Sequence, residues 1–301
     1  MSVSPILKSR NNARRRLIVN ADDFGLSPGV NAGIVDAHRR GILTSATLLA
    51  NAPCFDEAVR LAKETPSLGV GLHLNIVRGM PLTPPGEIPL LVDAHGCFRR
   101  FRIRRMNRGF LRQAGLEYRA QLRKIFEAGL RPTHIDFEKH HAWQGRLYRL
   151  ACELAAECGV RAVRNLSEPV AWTVRALGWP GLSAVAMAAF LRSGFQLSAA
   201  GCAGLARPDC FLGQCHIGAM TEEVWLKLLP SLPSGVIEVM THPGLPGDVS
   251  SADGMGYSWL EKRREAEHAA LCFASVRKAL DGSGAELIHF GDLTNEAVAE
   301  G

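Results

Sequence analysis

Short runs of apolar and β-branched residues alternate along the chain with stretches that have helical periodicity. The apolar runs predict seven strands, at residues 17–19, 44–50, 68–74, 132–137, 160–164, 236–241 and 286–290. Helical patterns separate most neighbouring runs, and this spacing is typical of parallel βα units. The alternation therefore predicts an α/β fold, a (β/α) barrel similar to a TIM barrel.

The first helix has the clearest boundaries, because Ser27 can cap it, Pro28 suits its first turn and Gly41 follows its end. Further helices are predicted at residues 55–64, 108–127, 145–158, 222–229 and 258–280. Residues 77–108 and 167–220 lack a clear period, and we interpret both as insertions beside the barrel mouth. We expect residues 1–16 to form a tail and 17–301 a single domain, since such barrels commonly reach this length.

The composition is that of a globular enzyme, with 47% apolar and 21% charged residues. No apolar run reaches the length of a membrane span, and no apolar region follows the charged N-terminal residues as in a signal peptide. The eight cysteines include no C-x-x-C pair, which indicates reduced thiols. These features predict a cytoplasmic protein.

The net charge of +6 is concentrated in one segment, RRFRIRRMNRGFLR at residues 99–112, which holds seven arginines and no acid. One interpretation is a solvated helix face or loop. The other is peripheral contact with an anionic membrane such as the inner membrane surface. No recognition motif accompanies the charge, so we expect no nucleic-acid partner. A homodimer is an open alternative.

Polar residues collect at or just after the carboxyl ends of the predicted strands, and in parallel barrels that face holds the active site. They are Asp22, Asp23, Asn51, His73, Asp136, Glu138, Arg164, His242 and Asp292. If the backbone stays extended at Asp22 and Asp23, their side chains point in different directions, so that one can bind a cation while the other faces substrate or water. A helix-capping turn is the simpler alternative for this pair.

The remaining histidines and carboxylates also have two interpretations each. His73 lies within an apolar run and is either a hydrogen-bonded core residue or a ligand. Alternation along THIDFEKHH places His134, Asp136 and Glu138 on one face of a strand, where they can act as ligands or as partners of ligands. His242 precedes a proline–glycine turn. It is either a residue whose side chain reaches across the mouth of the barrel or an ordinary loop histidine.

Motifs for other chemistries are missing from the sequence, since no G-x-S-x-G, Walker A or G-x-G-x-x-G segment occurs. Serine hydrolase, P-loop nucleotide and dinucleotide functions therefore lack support. The residue types present allow metal-assisted hydrolysis.

Five segments resemble the YdjC-like carbohydrate deacetylases: NADDFGLSPGVNAGI, ILTSATLLANAPCFDEAV, LGVGLHL, PTHID and EVMTHPG, in order between about residues 17 and 293. The resemblance implies a distorted barrel of about seven strands, a divalent cation held by an aspartate and imidazoles, and hydrolysis of an N-acetyl group on a sugar. The family's metal aspartate matches Asp23, its base Asp22, its first metal histidine His73, and its histidine before Pro-Gly matches His242.

The sequence departs from the family where H-x-D-x-H is usual, because Glu138 stands in place of the last, metal-binding histidine. We predict Glu138 as the third ligand, with His140 and His134 as alternatives. The THIDFEKHHAW variant is similar to the branch associated with hopanoid biosynthesis. That similarity implies an N-acetylglucosaminyl group on a hopanoid lipid as the substrate.

These observations predict a metal-dependent N-deacetylase whose cation, magnesium, zinc or manganese, is bound by Asp23, His73 and Glu138. A second carboxylate in the site favours the harder ions. Asp22 is the expected general base, kept ionised by Arg164, and His242 the acid that protonates the departing amine. Asp136 is expected to orient a ligand. The rival hypotheses are a non-catalytic barrel that binds a glycolipid, and a lyase or isomerase that stabilises an enolate.

Overall fold

The computed structural model describes residues 14–99, 106–143, 145–198, 204–246 and 258–293. The strands within these ranges are β1 (Arg15–Phe24), β2 (Ser45–Leu48), β3 (Gly69–Leu74), β4 (Ile135–Phe137), β5 (Cys210–Leu212), β6 (Gly235–Thr241) and β7 (Ala285–Leu287). The helices are α1 (Pro28–Arg40), α2 (Phe55–Glu64), α3 (Arg108–Glu127), α4 (Gly145–Glu157), α5 (Val170–Leu177), α6 (Leu182–Ser198), α7 (Glu222–Ser231), α8 (Ser258–Cys272) and α9 (Ala274–Ser283).

The strands form one curled sheet in the order β4-β3-β2-β1-β6-β5, and all of the pairs are parallel. β7 pairs with the first residues of β1, while β2 pairs with its last residues. Strands β1 to β4 are buried throughout their length except for the first two residues of β1, as expected for a parallel sheet with helices packed outside it. The prediction of a distorted α/β barrel is confirmed.

One predicted strand is wrong, and another strand lies where an insertion was expected. Residues 160–164 form only two isolated bridges, Ile135 with Val163 and Ala162 with Ala206, which connect the two edges of the sheet between β4 and β5. The fifth strand is instead Cys210–Leu212, inside the segment 167–220. Three apolar residues in an Ala- and Gly-rich stretch give too little periodicity to be recognised from sequence.

The helix predictions agree closely with the structure. The Ser27 hydroxyl accepts a hydrogen bond from the Val30 N–H (3.2 Å), so that it caps α1 as expected. The helix predicted at 258–280 is two helices, because the chain breaks at Phe273 between α8 and α9. The segment 77–108 contains a short 3-10 turn at Pro85–Glu87.

Helix α6 has an apolar surface that the rest of the described chain leaves largely uncovered. Leu182, Met187 and Phe190 are 74%, 49% and 47% exposed, and Trp179 just before the helix is 64% exposed. Exposed apolar side chains grouped in this way mark interaction sites more often than isolated ones do. Within the described ranges, no helix has both the length and the hydropathy needed to cross a bilayer.

Candidate active site

A cavity of about 270 Å³ opens at the carboxyl ends of the strands, and both β1 aspartates line it. Extended backbone would send Asp22 and Asp23 to opposite faces, but the pairing of β1 with β2 shifts between Ala21 and Phe24. Asp23 there has a φ of 73°, in the left-handed region. The backbone is therefore not extended at this point, so the condition under which the two side chains would point apart is not met, and both reach one cavity.

Arg164 holds Asp22 from the opposite side of the barrel. Its Nη1 and Nη2 atoms donate to the two Asp22 carboxylate oxygens at 2.8 and 2.7 Å, and Asn20 Nδ2 adds a third bond at 2.9 Å. Burial alone would raise the pKa of Asp22, but the Arg164 guanidinium outweighs it and holds that pKa well below its usual range. Asp22 is therefore ionised at neutral pH.

The same guanidinium, fully buried, joins two more strands. Arg164 Nη1 lies 2.8 Å from Asp136 Oδ2 on β4, and Nε donates to Glu238 Oε1 on β6 at 2.7 Å. Burial raises the pKa of Glu238 to about 8 despite Arg164, so this carboxyl group is protonated at neutral pH. Sequence reasoning overlooked Glu238, although an acid within the apolar run VIEVMT was a signal for a buried partner.

His73 on β3 lies between two carboxylates. Its Nδ1 is 2.6 Å from Asp136 Oδ1, and its Nε2 is 3.0 Å from Glu138 Oε2. Thr47 donates to the other Asp136 oxygen at 3.0 Å and so fixes that carboxylate. Burial opposes the charge on His73, but Asp136 raises the pKa of the imidazole well above its ordinary value. The geometry fits the expected orienting role of Asp136.

Asp23, His73 and Glu138 each offer one atom to a buried group in which these atoms lie within 4.8 Å of one another. Carboxylate and imidazole are donors that divalent cations accept, so the set fits such an ion in kind. A second group, Asp22, His73 and Asp136, has the same spacing, but Arg164 binds both of its carboxylates. Arginines contact the carboxylates of both groups, but all three residues of the first group line the cavity, whereas Asp136 of the second group does not. The first group is therefore the better candidate metal centre.

Two arginines that sequence reasoning overlooked contact this group. Arg78 from the loop after β3 and Arg264 from α8 each bind one oxygen of Asp23, with Arg264 Nη2 at 2.6 Å. Burial would raise the pKa of Asp23, but these two guanidinium groups hold it well below its usual range. No motif marked either arginine, because one lies in a loop without a period and the other in an ordinary charged helix pattern.

His242, just after β6, also lines the cavity. Its backbone N–H donates to Glu267 Oε2 on α8 at 2.6 Å, which fixes the chain at the proline–glycine turn. The His242 Nδ1 atom is buried and has no hydrogen-bond partner among the described residues. The Nδ1 atom lies 4.0 Å from Glu267 Oε2. As part of the cavity lining, the imidazole can exchange a proton with a molecule there.

A comparison of the whole sequence with protein-family models matches residues 16–282 to the family described as YdjC-like protein. The chain belongs to the YdjC-like family. A carbohydrate deacetylase from Brevibacillus brevis is 34% identical to this YdjC-like chain, over 92% of this chain and 99% of the relative. Another from Geobacillus stearothermophilus is 32% identical, over 93% and 98%.

A solved structure has the same fold as this YdjC-like chain. It is an Enterococcus faecalis protein described as a candidate cellobiose-phosphate cleavage protein, with a TM-score of 0.75 and 28% identity, and the match covers 93% of this chain and 99% of that one. The agreement extends over nearly the full length of both proteins, so it includes the strands that carry the site.

Several sequence-predicted residues of the YdjC-like chain lie elsewhere or contact the cavity differently. His140 lines the cavity, but its Nε2 pairs with Gln214 Oε1 at 2.7 Å and burial lowers its pKa to about 3. His134 stacks on Phe290 with ring centres 3.6 Å apart, away from the cavity lining. Neither histidine belongs to a donor group among the described residues.

Asn51 and Asp292 were predicted at the same face, and the structure gives them roles in loops. Asn51 Nδ2 donates to the carbonyl groups of Arg78 and Met80 at 3.2 and 2.8 Å, so it holds the loop after β3. Asp292 accepts a hydrogen bond from the His289 N–H at 2.9 Å in a terminal turn. Both residues follow strand ends as predicted, but neither lines the cavity, because a position after a strand does not fix the direction of the side chain.

Proposed function

We propose that this chain is a metal-dependent N-deacetylase that hydrolyses the acetamide of an amino sugar. One observation carries the proposal: the buried group of Asp23, His73 and Glu138 shares a cavity with Asp22 and His242. Ligand donors, an ionised carboxylate and an imidazole are the components of metal-assisted amide hydrolysis. The activity named for the relatives from Brevibacillus brevis and Geobacillus stearothermophilus supports the same reaction.

Asp23, His73 and Glu138 would hold the cation. A bound divalent ion would supply Lewis-acid polarisation of the acetamide oxygen and a more acidic water molecule. Two carboxylates and one imidazole make the site rich in oxygen and negative charge, which favours magnesium or manganese over ions that prefer nitrogen.

Asp22 is the proposed general base and His242 the proposed acid. Arg164 keeps Asp22 ionised, which makes its carboxylate available as a proton acceptor but also lowers its proton affinity. The His242 imidazole lines the cavity and would deliver a proton to the departing amine, which is a poor leaving group without it. Asp136 would keep the His73 ring in the orientation that exposes Nε2 to the cation.

Part of the cavity wall is apolar, which supports a lipid-linked amino sugar as the substrate. Met187 and Leu191 of α6 line the cavity together with Ile217, Met240 and Leu260. Met187 is at the same time 49% exposed, so the apolar wall continues onto the outer surface of α6. We propose an N-acetylglucosaminyl lipid, and specifically a hopanoid lipid, as the substrate.

Peripheral contact with a membrane is part of this proposal. Residues 169–208, which include α5 and α6, contain three arginines and no acidic residue. Arg99, Arg108 and Arg112 are exposed, while residues 100–105 of the arginine-rich segment lie outside the described residues. Each basic side chain near anionic lipid contributes on the order of 1 kcal/mol, so several together suffice for reversible binding.

The decisive experiment measures acetate release from an N-acetylglucosaminyl lipid by the purified protein, with and without chelator. We expect release that the chelator abolishes and that added magnesium or manganese restores. Release that is unaffected by thorough chelation would contradict metal dependence, whereas binding of the lipid without any acetate would favour the non-catalytic glycolipid-binding barrel. The non-catalytic barrel stays a second candidate because Arg78 and Arg264 bind Asp23, a proposed metal ligand.

The lipid part is tested separately with a matched pair of variants. Leu182→Ser on α6 should lower turnover of the lipid substrate and binding to anionic vesicles, but not turnover of a soluble N-acetyl sugar. Leu226→Ser removes an equally apolar, 40% exposed side chain from α7 and should change neither. The proposed membrane contact would be contradicted if the two variants behaved alike. It would also be contradicted if the protein bound no vesicles at either low or high salt.

A further inference from the structure

The Arg78 guanidinium lies on the two carboxylates that complete the candidate metal centre. Its Nη2 atom donates to Asp23 Oδ1 and to Glu138 Oε2, the latter at 3.1 Å. Its Nε atom lies 3.0 Å from Glu138 Oε1. Arg78 is only 4% exposed, so these charged contacts are made out of water. The guanidinium therefore bridges the same pair of carboxylates that a divalent ion would bridge.

Each of the four carboxylate oxygens of Asp23 and Glu138 contacts a guanidinium group or an imidazole. Arg264 Nη2 donates to Asp23 Oδ2 at 2.6 Å, and His73 Nε2 lies 3.0 Å from Glu138 Oε2. A carboxylate has about four lone-pair sites on its two oxygens, and each site that accepts from a guanidinium or an imidazole is no longer available to a second cation. A divalent ion at bonding distance from Asp23 and Glu138 would also lie next to the positive charge of Arg78, and the two repel each other strongly where water is excluded.

The position of Arg78 is fixed by its own loop. Asn75 Oδ1 accepts from the Arg78 N–H at 3.2 Å, and the Arg78 carbonyl accepts from Asn75 Nδ2 at 2.9 Å and Asn51 Nδ2 at 3.2 Å. Gln121 on α3 in turn accepts from the Asn75 N–H at 3.0 Å. Three side-chain amides thus hold the backbone from which the guanidinium extends, and this support places the charge at the centre of the site.

We propose that Arg78 is a built-in competitor of the metal ion, and that its guanidinium must leave Asp23 and Glu138 before a divalent cation binds there. The inference rests on the metal centre proposed above. The measured metal affinity is then the intrinsic affinity reduced by the fraction of molecules in which Arg78 is withdrawn. Arg78 consequently determines how tightly the protein holds its metal, although it is not itself a ligand.

The test is a calorimetric titration with Mn²⁺ of the full-length wild type and of the Arg78→Gln variant, which measures the dissociation constant of the metal. The variant removes the charge and the bidentate contact, and we expect its dissociation constant to fall at least tenfold. Arg78→Lys retains a charge but cannot bridge two carboxylates in the same way, so it should give an intermediate value. Arg60→Gln, which removes an exposed arginine on α2 that pairs with Glu64, is the control and should leave the affinity unchanged.

An Arg78→Gln affinity that equals or falls below that of the wild type would overturn the proposal, because Arg78 would then support the carboxylates rather than compete for them. Absence of Mn²⁺ binding in both proteins would overturn it as well. Circular dichroism shows whether each variant is folded, and Arg78→Lys serves if Arg78→Gln is not. Acetate release by the wild type, measured in parallel, reports on deacetylation independently, so failure of the Arg78 proposal leaves that result intact.

Discussion

Replacing Arg164 by glutamine should destabilise the fold more than any surface charge change. The fully buried guanidinium contacts Asp22, Asp136 and Glu238, so its loss leaves three buried carboxyl groups without their shared donor. Removing one partner of a buried ion pair typically costs about 3–5 kcal/mol, because the remaining charge is uncompensated. We expect the free energy of unfolding to fall by about that amount, which is a large fraction of the stability of an ordinary domain.

The loss should also depend on pH. In the wild type the depressed pKa of Asp22 contributes stability above about pH 4, the pKa of an unfolded aspartate, and that contribution is lost as the pH falls. Without Arg164, burial raises the pKa of this carboxyl group, so the variant loses stability as the pH rises. The difference between the two proteins should therefore be larger at pH 8 than at pH 5.

Urea unfolding at both pH values measures these quantities, with Arg60→Gln as the control. Arg60 and Glu64 form an exposed i,i+4 pair on α2, whose loss should cost less than about 1 kcal/mol. A loss below about 1 kcal/mol for Arg164→Gln, or a loss that is larger at pH 5 than at pH 8, would refute the reasoning.

Three further outcomes are expected. Asp22→Asn should retain metal but lower turnover by roughly two to four decades, since it removes a base and not a ligand; metal loss would reassign Asp22. Metal analysis should find that Glu138→Ala loses its metal together with its activity. Glu138→His should retain a metal with a different ion preference. Full metal content in Glu138→Ala would exclude Glu138 as a ligand. A Cβ on Gly71 would overlap the buried His134 ring, so Gly71→Ala should cost about 1–3 kcal/mol in urea unfolding, and less in a His134→Ala background.

The sequence predicted the parts of the fold that local patterns encode. Long amphipathic segments such as Phe55–Glu64 and Arg108–Glu127 agree with the structure residue for residue, because helical periodicity accumulates over many positions. The three-residue strand Cys210–Leu212 was not recognised, since only its pairing with β6 makes it a strand. Residues 160–164 were assigned to a strand on composition, and the structure pairs them through single bridges only.

The candidate site shows the same division. Asp22, Asp23, His73 and His242 were predicted near one another from their positions after strands, and all four line the cavity. Arg78 and Arg264 were not predicted to contact Asp23, because their approach depends on the path of a loop and on the packing of α8. A residue that reaches a site from outside the strand ends leaves no spacing in the sequence from which to infer it.

The seam between β4 and β5 has a consequence for how the barrel opens. Four backbone hydrogen bonds, with donor–acceptor distances of 2.8 to 3.1 Å, join Ile135, residues 161–164 and Ala206, whereas β1 and β6 pair over seven residues. Local opening is easiest where few bonds must break, so the amide hydrogens of Val163 and Ala206 should exchange with solvent before that of Val239. Arg164 lies at this seam, where few backbone hydrogen bonds hold the sheet edges together. Its charged side chain connects this edge to residues of β1, β4 and β6.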